Sequence, residues 1–509
     1  MTAIDRRSLY RLTAIGILLL AFALRSFTLA TRPLWFDEAW EYWIATTAFP
    51  ELLPAVKEYL RDPPFYSYLL YFLVRLGEPE FWLRFPSLLG SMLNLLGVMT
   101  LARLAFGKPA ALVAALLVAV AASDIRFAQE AGQYIFMACF LSWMLVFLLR
   151  FVQTGGWLWA GLWAIAAVLA TYTHYGAPIP VIATALVSCA YLILGRRWRT
   201  LSVLAVAGIG ALLLITPLVF DILPAQLTQP SNAIKPPVAF ETLAVELRAF
   251  LTGAQTILRF QQMGHQPAGW VWSLLPEWVV WLPGLLLLVA GAVRYRLSMP
   301  FVWLIVSFIL YFLISKSGLY HLDGRYTLIV APLVWVCLAA GAIAMWGRQR
   351  TITVMLTGTI VLLSLSAPPE RPEDLRGITQ FWLAERADDE PTYVYYGALP
   401  GFRYQLRLAG KEDSASGVWF RECWWRGEGV AACNDDDIKY GRWIRSLSPE
   451  QKAESIYTSL GEEPPQFWII FSHVYPGEDE VILTALGDSY TITKHLQRNG
   501  EAAVLLTHK

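Results

Sequence analysis

Trp35-Phe36-Asp37-Glu38-Ala39-Trp40 follows the first long apolar stretch of the chain and places two adjacent carboxylates beside it. Carboxylates next to an apolar phase are costly unless they have water, a cation or a chemical role. Arg61-Asp62-Pro63-Pro64-Phe65-Tyr66 comes later in the same segment, before the second apolar run. The pairing of these two stretches in one loop between apolar spans favours a membrane enzyme over a generic multi-pass protein.

The composition is that of a membrane protein. Of the 509 residues 56% are hydrophobic and only 16% are charged, and there are 22 tryptophans, a residue enriched at membrane interfaces. The net charge of +1 gives no electrostatic reason to expect a nucleic-acid partner. The length suits a helical membrane domain with one smaller soluble domain.

Runs of spanning length predict about eleven transmembrane helices. The predicted spans are residues 11–30, 81–106, 109–123, 133–152, 157–173, 175–194, 201–220, 277–293, 300–315, 326–346 and 351–367. A cleaved signal peptide is the rival interpretation of the first span. Its apolar run is long for a signal peptide and Arg25 interrupts it, so we interpret it as a retained helix.

Basic residues fall on alternate loops between these spans. With a cytoplasmic N-terminus, the inner loops hold Arg103, Lys108, Arg150, Arg196, Arg197, Arg199, Arg294, Arg296, Arg348 and Arg350. The positive-inside rule therefore predicts a multi-pass membrane protein with its N-terminus in the cytoplasm. The acidic motifs and the tail after Ala367 then lie on the outer side.

The predicted organisation is a membrane domain over residues 1–367 and an extracytoplasmic α/β domain over residues 368–509. Residues 31–80 form the first outer loop, in which two amphipathic helices are predicted in the plane of the interface, over 51–60 and 65–76. The loop 221–276 is a candidate lid, although a plain extracellular loop explains it nearly as well.

The tail after the proline cluster at 368–372 has a soluble composition with alternating strand and helix patterns. Strands are predicted over 392–396, 467–471, 491–496 and 502–507, and helices over 375–387, 449–460 and 478–486. Cys423 and Cys433 lie in this tail, where an oxidising compartment would permit a disulfide. Zinc is disfavoured because no second Cys/His pair has suitable spacing.

The acidic residues of the outer side are the candidates for catalysis. Asp37 and Glu38 have a structural interpretation as the acidic start of a helix at the interface. That interpretation weakens because Asp62, Asp124 and Glu130 are predicted on the same side. Carboxylates facing one cavity can bind Mg²⁺ or Mn²⁺, for which Asp37, Glu130 and Asp124 are candidate ligands, or one can act as a general base.

Three further polar segments lie on the outer side. The turn from Ser123 to Tyr134 joins two spans, and taken alone it is best explained as a plain polar turn. His174 ends a span, where a lone histidine is more often interfacial than a ligand. Arg325 opens a span, and its guanidinium suits a phosphate, with interface anchoring as the alternative.

Together these motifs resemble the GT-C superfamily of integral membrane glycosyltransferases, in the group of protein O-mannosyltransferases, aminoarabinose transferases and bacterial relatives. The motifs that carry the resemblance are Leu34-Trp35-Phe36-Asp37-Glu38-Ala39, Asp62-Pro63-Pro64-Phe65-Tyr66, Arg84-Phe85-Pro86-Ser87, Gln129-Glu130-Ala131 with Tyr134, Tyr172-Thr173-His174-Tyr175, and Arg325-Tyr326 with Pro332. Each motif alone is weak. Their order, spacing and common side of the membrane carry the resemblance over nearly the whole membrane part.

The resemblance implies a GT-C-like polytopic α-helical fold with a small C-terminal α/β domain. It also implies transfer of a sugar from a polyprenyl-phosphate carrier to a lipid, glycan or protein acceptor on the outer face. The first acidic residue of the first loop is the usual catalytic candidate, which is Asp37 here. The second acidic motif corresponds to Asp124 or Glu130, and Glu130 matches the family's Gln-Glu-Ala pattern.

Two positions depart from the family pattern. Relatives usually have His before the Pro-Pro pair, where this chain has Asp62, and Arg after Gln-Glu-Ala, where it has Gly132. The second departure removes a partner for phosphate or carboxylate, for which Arg126 is a candidate substitute. Otherwise the donor or acceptor differs from those of better-known members, or activity is reduced.

Sugar transfer builds negative charge on the departing phosphate, which nearby cations or a metal stabilise. The candidate donor-phosphate residues are Lys57, Arg61, Lys316, His321, Arg325 and Tyr326. The other predicted cavity residues are Asp62, Tyr66, Tyr134 and His174. A carboxylate takes the acceptor proton as attack proceeds, and a single displacement inverts the sugar. The lipid tail of the donor lies among membrane lipids and helices.

The alternative from another functional class is a non-catalytic or degenerate lipid-glycan binding protein or transporter. It would use the same cavity without Asp37 as a base. A transporter would more often show inverted repeats and broken helices, and neither is clear in the sequence. An oligosaccharide transferase is a further alternative, but no motif for recognising a peptide sequon is recognisable.

Overall fold

Apolar runs fold as helices along the first part of the chain, and strands follow in its last part. The computed structural model describes residues 6–27, 29–60, 62–227, 277–317, 324–347, 349–365, 373–388, 390–411, 437–442, 444, 447–461, 463–474, 477–498 and 500–509. Arg61, His321, Cys423, Cys433 and most of the candidate lid loop lie outside these ranges.

The helices up to Leu365 follow the predicted spans and the predicted interfacial segments. They are α1 (Arg6–Ser26), α2 (Phe36–Thr46), α3 (Phe49–Tyr59), α4 (Phe65–Leu73), α5 (Pro79–Phe106), α6 (Lys108–Val120), α7 (Ala122–Ala128), α8 (Tyr134–Thr154), α9 (Trp157–Thr173), α10 (Pro178–Leu194), α11 (Trp198–Pro217), α12 (Leu223–Leu227), α13 (Glu277–Arg294), α14 (Met299–Lys316), α15 (Ala331–Trp346) and α16 (Arg350–Leu365). A π-helical turn (Leu218–Ile222) and a 3₁₀ helix (Gly324–Ile329) complete this part.

The multi-pass helical fold class is confirmed. Among the described residues, five helices are long and apolar enough to cross a membrane, or six if the bent pair α6 and α7 is one span. Shorter apolar helices occupy the other predicted spans. A helix therefore lies at every predicted span, while the number that cross the membrane stays a prediction.

Contacts divide the chain into two compact units. The first, here called the membrane unit, comprises Met1–Leu29, Leu60–Tyr66 and Arg84–Pro369. The second, here called the α/β unit, comprises Ala30–Tyr59, Ser67–Leu83 and Glu370–Lys509. Most of the first outer loop thus belongs to the same unit as the C-terminal strands, and it includes the helix that carries Asp37.

The core of the membrane unit is built around α8 and α15, which are buried along most of their lengths. Helices α13 and α15 approach each other closely because Gly291 and Gly341 face one another at their crossing. Small residues at such crossings allow backbone-to-backbone packing in membrane proteins. A Cβ atom added at Gly341 would collide with the backbone carbonyl of Leu287.

Gly341→Ala is therefore expected to destabilise the membrane unit by about 1–3 kcal/mol, the usual range for overpacking a close-packed interior. Thermal unfolding of the purified protein in detergent measures the effect. Gly358→Ala on α16 is the matched control, because a Cβ atom there meets no atom within 4 Å. Equal melting temperatures for the two variants would contradict this account of the crossing.

The α/β unit contains helices and strands in alternation. They are α17 (Leu375–Glu385), β1 (Thr392–Val394), α18 (Leu399–Leu408), β2 (Ile438–Tyr440), α19 (Pro449–Leu460), β3 (Gln466–Phe471), α20 (Glu478–Leu486), β4 (Tyr490–Arg498) and β5 (Glu501–His508). The predicted strands and helices are all present. Strand β2 and helix α18 were not predicted.

The described strands form a five-stranded sheet in the order β2-β1-β3-β5-β4. Strand β1 is parallel to β2 and β3, and β5 is antiparallel to β3 and β4. Strands β3 and β5 are buried along almost their whole lengths, whereas β4 is largely exposed. The parallel part brings the carboxyl ends of β1 and β3 to one edge of the sheet.

The first outer loop packs on the C-terminal elements within the α/β unit. The Nε1 atom of Trp43 in α2 donates a hydrogen bond of 3.0 Å to the carbonyl of Pro400. Tyr42 packs edge-on against Tyr404 of α18, with ring centroids 4.9 Å apart. Because these aromatic side chains are buried, α2 gains most of its stability from these contacts rather than from its own sequence.

Glu501 gives the α/β unit a pH-dependent stability. It is buried and accepts a hydrogen bond of 2.7 Å from the hydroxyl of Ser472. Burial, together with the neighbouring Glu373 and Asp374 carboxylates, raises its pKa well above the ordinary 4.5. The folded state therefore retains a proton that the unfolded chain releases, so the free energy of unfolding falls as the pH rises above about 4.5.

Glu501→Gln is expected to remove this fall in the free energy of unfolding at higher pH. The amide is neutral at every pH, and its oxygen can still accept the hydrogen bond from Ser472. Melting temperatures at about pH 5 and about pH 8 should therefore differ less for the variant than for the wild type. At the higher pH the variant should be the more stable protein. The exposed Glu454→Gln on α19 serves as the control, and an unchanged pH dependence in Glu501→Gln would contradict the assignment.

Candidate functional site

Asp37 and Glu38 lie in the first turn of α2 and have different environments. Glu38 is buried, and its Oε2 atom accepts a hydrogen bond of 3.4 Å from the backbone N–H of Trp35. This bond satisfies a donor that the helix start would otherwise leave unpaired. Asp37 is only half-buried, so it is less enclosed than Glu38. The structural interpretation thus fits Glu38, and Asp37 is the better candidate for chemistry.

Asp124 lies on the short helix α7, directly after a bend of 61° that separates it from α6. Its side chain is fully buried, and the Nδ2 atom of Asn94 donates a hydrogen bond of 3.1 Å to its Oδ1. The buried guanidinium of Arg25 lies close enough for the two charges to attract each other. The attraction to Arg25 and the hydrogen bond from Asn94 offset part of the cost of burying this carboxylate.

Arg25 explains how the bend between α6 and α7 is stabilised. Its side chain donates hydrogen bonds of 2.7 Å and 2.8 Å to the carbonyls of Val118 and Ala119, at the end of α6. A third bond of 2.7 Å goes to the hydroxyl of Ser91. The last carbonyls of a helix have no N–H donors within that helix. The guanidinium of Arg25, on α1, donates to two of these carbonyls at the end of α6.

Glu130 follows α7 and is paired with Arg126. The Nε atom of Arg126 lies 3.4 Å from the Oε2 atom of Glu130, and both side chains are largely buried. Arg126 was the candidate substitute for the arginine that relatives carry at position 132. Its pairing with Glu130 places a guanidinium within this motif, although its role towards substrate stays a prediction.

Asp62, His174 and Tyr134 come together in the membrane unit. The Nε2 atom of His174 lies 3.9 Å from the Oδ1 atom of Asp62, and its ring lies 5.5 Å from that of Tyr134. The backbone N–H of Gly176 donates to the Nδ1 atom of His174 at 3.0 Å, so a neutral His174 carries its proton on Nε2. That proton is on the nitrogen closest to Asp62.

Gln226 fixes the backbone beside Asp62. Its Nε2 atom donates a hydrogen bond of 3.0 Å to the carbonyl of Asp62, and its Oε1 accepts one of 2.6 Å from the hydroxyl of Tyr175. Gln226 was not predicted as a site residue. The sequence offered no signal for it, because it lies far along the chain from the Asp62 motif and belongs to no recognised pattern.

Tyr66 and Gly132 lie near Ser87. The hydroxyl groups of Tyr66 and Ser87 are 3.5 Å apart, and that of Ser87 lies 3.5 Å from the carbonyl of Gly132. A Cβ atom at Gly132 would make ordinary contacts with Tyr134 and Glu130. The backbone therefore does not require glycine here, and the departure from the family's arginine has no steric cause at the Cβ position.

The predicted phosphate-binding residues are distributed over both units. Lys57 is half-buried on α3 in the α/β unit, and Lys316 is exposed in the last turn of α14 in the membrane unit. Arg325 and Tyr326 belong to the 3₁₀ helix, and their side chains are outside the described part of the structure. Arg61 and His321 lie outside the described residues altogether. Donor binding by these six residues stays a prediction.

The predicted divalent-cation site has no complete ligand set in the described ranges. Among them, no three His, Cys, Asp or Glu side chains come together in a way that could hold a metal ion. One oxygen of Asp124, the third candidate ligand, already accepts the hydrogen bond from Asn94. The described residues therefore do not fit such an ion.

Glu373 and His473 are the other residues near Asp37 that the sequence did not single out. Glu373 accepts a hydrogen bond of 2.9 Å from the backbone N–H of Phe36, the residue before Asp37. His473 lies against the ring of Phe36. A histidine two residues after a buried strand was the available signal, because polar residues at the carboxyl ends of parallel strands often serve a site.

Comparisons with known proteins show similarity at the level of a family model and of the fold. Residues 61–220 match the family model described as dolichyl-phosphate-mannose-protein mannosyltransferase. That range contains Asp62, Glu130 and His174. No curated protein matches the chain significantly.

Solved structures resemble the chain over almost its whole length. ArnT from Cupriavidus metallidurans in the apo state has a TM-score of 0.53 and 16% identity, covering 97% of each chain. ArnT bound to undecaprenyl phosphate has a TM-score of 0.51 and 15% identity, covering 98% of each chain. The apo oligosaccharyltransferase from Archaeoglobus fulgidus has a TM-score of 0.55 and 14% identity, covering 98% of this chain and 74% of that one. The same archaeal protein has also been solved in complex with Zn and sulfate.

Proposed function

We propose that this chain, which has the GT-C fold of membrane glycosyltransferases, moves a sugar from a polyprenyl-phosphate-linked donor to an acceptor. The observation that carries the proposal is the overlap between the family match at residues 61–220 and the Asp62, Glu130 and His174 motifs. Undecaprenyl phosphate bound to ArnT, a protein of similar fold, supports a lipid-phosphate donor for this chain as well.

The chemistry proposed for Asp37 is that of a general base. The acceptor hydroxyl attacks the anomeric carbon, the bond to the donor phosphate breaks, and the hydroxyl proton passes to the Asp37 carboxylate. One displacement inverts the sugar, and no covalent enzyme intermediate is needed. Asp37 suits this step because it lies at the start of α2 and is only half-buried.

Charge on the departing phosphate is stabilised by cations. Lys57, Lys316, Arg325 and the two residues outside the described ranges, Arg61 and His321, are the candidates for this task. A guanidinium such as that of Arg325 can hold two phosphate oxygens at once. The lipid tail stays in the apolar phase, so the membrane contributes to donor binding.

A divalent cation has no step in this mechanism, because the described residues do not fit one. Because the archaeal oligosaccharyltransferase has been solved with Zn, the need for a divalent cation should be tested directly. Loss of transfer in EDTA with recovery in Mg²⁺ or Mn²⁺ would show that the reaction needs a divalent cation. Transfer that persists in EDTA supports Asp37 as the base.

The proposed location is the plasma (inner) membrane, with the N-terminus in the cytoplasm and the α/β unit outside. The alternation of basic loops supports this orientation. The acceptor, whether lipid, glycan or protein, is then met on the outer face. Cysteine accessibility from either side of oriented vesicles tests the orientation.

The central experiment uses the purified protein in nanodiscs with a panel of radiolabelled polyprenyl-phosphate sugars and a membrane extract as acceptor. We expect transfer from one donor, which identifies the sugar. Asp37→Asn should bind that donor and fail to transfer it. Glu51→Gln, an exposed carboxylate in the first turn of α3, is the matched control and should transfer normally.

The second candidate function is that of a lipid-glycan binding protein without catalysis. Gly132, in place of the arginine of relatives, is the observation that favours it. Donor binding without transfer to any acceptor, unchanged in Asp37→Asn, would support this second function.

A further inference from the structure

His473 lies where α/β sheets commonly bind ligands. It follows β3 and Ser472, at the edge formed by the carboxyl ends of the parallel strands β1 and β3. Its ring stacks on Phe36 with centroids 4.3 Å apart and an interplanar angle of 11°. Trp35 is also near, with ring centroids 6.3 Å from His473. This edge of the sheet therefore contacts the start of α2, next to Asp37.

Glu373 joins His473 to the backbone of α2. Its Oε2 atom accepts the 2.9 Å hydrogen bond from the Phe36 N–H, and its Oε1 lies 2.8 Å from the Nδ1 atom of His473. A negative charge at a helix N-terminus is favourable, because the first N–H groups lack partners within the helix and the dipole is positive there. One carboxylate thus holds both the ring and the first residue of α2.

The backbone of His473 is held in a sparsely populated conformation. Its φ of 53° is in the left-handed region, which is unfavourable for residues other than glycine. Gly397, shortly after β1, makes this conformation compatible with the packing, since a Cβ atom there would lie 2.6 Å from the carbonyl of Ser472. Retained strain of this kind is common at functional sites.

We propose that His473 and Glu373 are positioning residues that hold the start of α2, and through it the Asp37 carboxylate, in the orientation that sugar transfer requires. The link is direct, because Asp37 follows Phe36 in the chain and shares the first turn of α2 with it. This role rests on the proposed function of Asp37 as base. It gives the C-terminal part of the chain a role in the reaction.

The test uses His473→Gly, Glu373→Ala and the double variant in the full chain. Glycine removes the ring and relieves the left-handed strain, so folding stability should be preserved while positioning is lost. We expect kcat to fall by about 10- to 100-fold, the scale of a misplaced catalytic group, with KM for the donor changed less than about twofold. Glu373→Gln keeps an acceptor for the Phe36 N–H and should restore most of the activity lost in Glu373→Ala.

The double variant shows whether His473 and Glu373 act on kcat together or independently. Because both residues act on the same turn of α2, its kcat should be no lower than that of the worse single variant. His495→Gly, an exposed histidine on β4, is the matched control and should keep the wild-type kcat. Unchanged kcat in His473→Gly and Glu373→Ala, with active wild-type protein, would overturn the proposal.

Hydrogen exchange gives a readout that does not depend on activity. Amides in the first turn of α2 should exchange faster in His473→Gly and Glu373→Ala than in the wild type, and unchanged exchange would again overturn the proposal. If the wild-type chain transfers no sugar from any donor, the proposed function fails separately. The exchange result then still decides whether these two residues hold the start of α2.

Discussion

Asp37→Asn is expected to lower kcat for sugar transfer by roughly 10²–10⁴-fold, the usual contribution of a general base. The amide has nearly the same shape as the carboxylate but cannot take the acceptor proton. Donor binding should be retained, because the phosphate and lipid tail are held by other groups. Single-turnover transfer assays with matched donor-binding measurements separate the two effects.

Glu38→Gln provides an internal comparison for this prediction. Its oxygen can still accept the bond from the Trp35 N–H, so the start of α2 should remain intact and kcat should change far less than in Asp37→Asn. Comparable losses in the two variants would show that the adjacent carboxylates act together. Full activity in Asp37→Asn would exclude Asp37 as the base.

Arg25→Met and Asp124→Asn are each expected to destabilise the membrane unit by about 1–3 kcal/mol, because the first leaves buried carbonyls without their donor and the second removes the negative charge that attracts Arg25. Arg25→Met also removes the hydrogen bonds to Val118 and Ala119. Asp124→Asn keeps the shape of the side chain and removes only its charge. Unfolding in detergent, followed by tryptophan fluorescence, measures both losses.

The double variant Arg25→Met with Asp124→Asn is the sharper test. Removing both charges should cost clearly less than the sum of the single losses, because no buried charge remains unpaired. Arg7→Met, an exposed arginine on the same helix α1, is the matched control and should be neutral. Strictly additive losses would show that Arg25 and Asp124 do not interact.

The helices were predictable because apolar runs of spanning length have few other folds available in a membrane. The strands β3 and β5 were predictable for a similar reason, as continuous buried runs. Helix α18 was not predicted, since Pro400 and Gly401 near its start resemble a turn. Tertiary contacts, among them the Trp43 bond to Pro400 and the packing of Phe402 on Trp382, stabilise the helix there. Strand β2 is only three residues long and has too little pattern to detect.

The candidate site was predictable as a set of residues but not as a set of roles. Asp124 and Glu130 looked alike in sequence because both lie in one polar turn. Asp124 accepts a hydrogen bond from Asn94 near the buried charge of Arg25, whereas Glu130 pairs with Arg126, so their environments differ. Arg25 was visible as an interruption of the first span, yet sequence distance concealed which carboxylate it would meet. Glu373 has no motif at all, and only the fold brings it to Phe36.

The hydrogen bonds of Arg25 also bear on how the chain is assembled during synthesis. Two carbonyl acceptors of Arg25, those of Val118 and Ala119, are made 93 and 94 residues after it. Until then its charge is costly in lipid, so the first helix has reason to stay at a hydrated boundary while the next segments emerge. Completion of α6 then supplies the carbonyls of Val118 and Ala119 as acceptors and allows α1 to pack in its final position. We therefore expect the final packing of α1 to depend on the synthesis of α6.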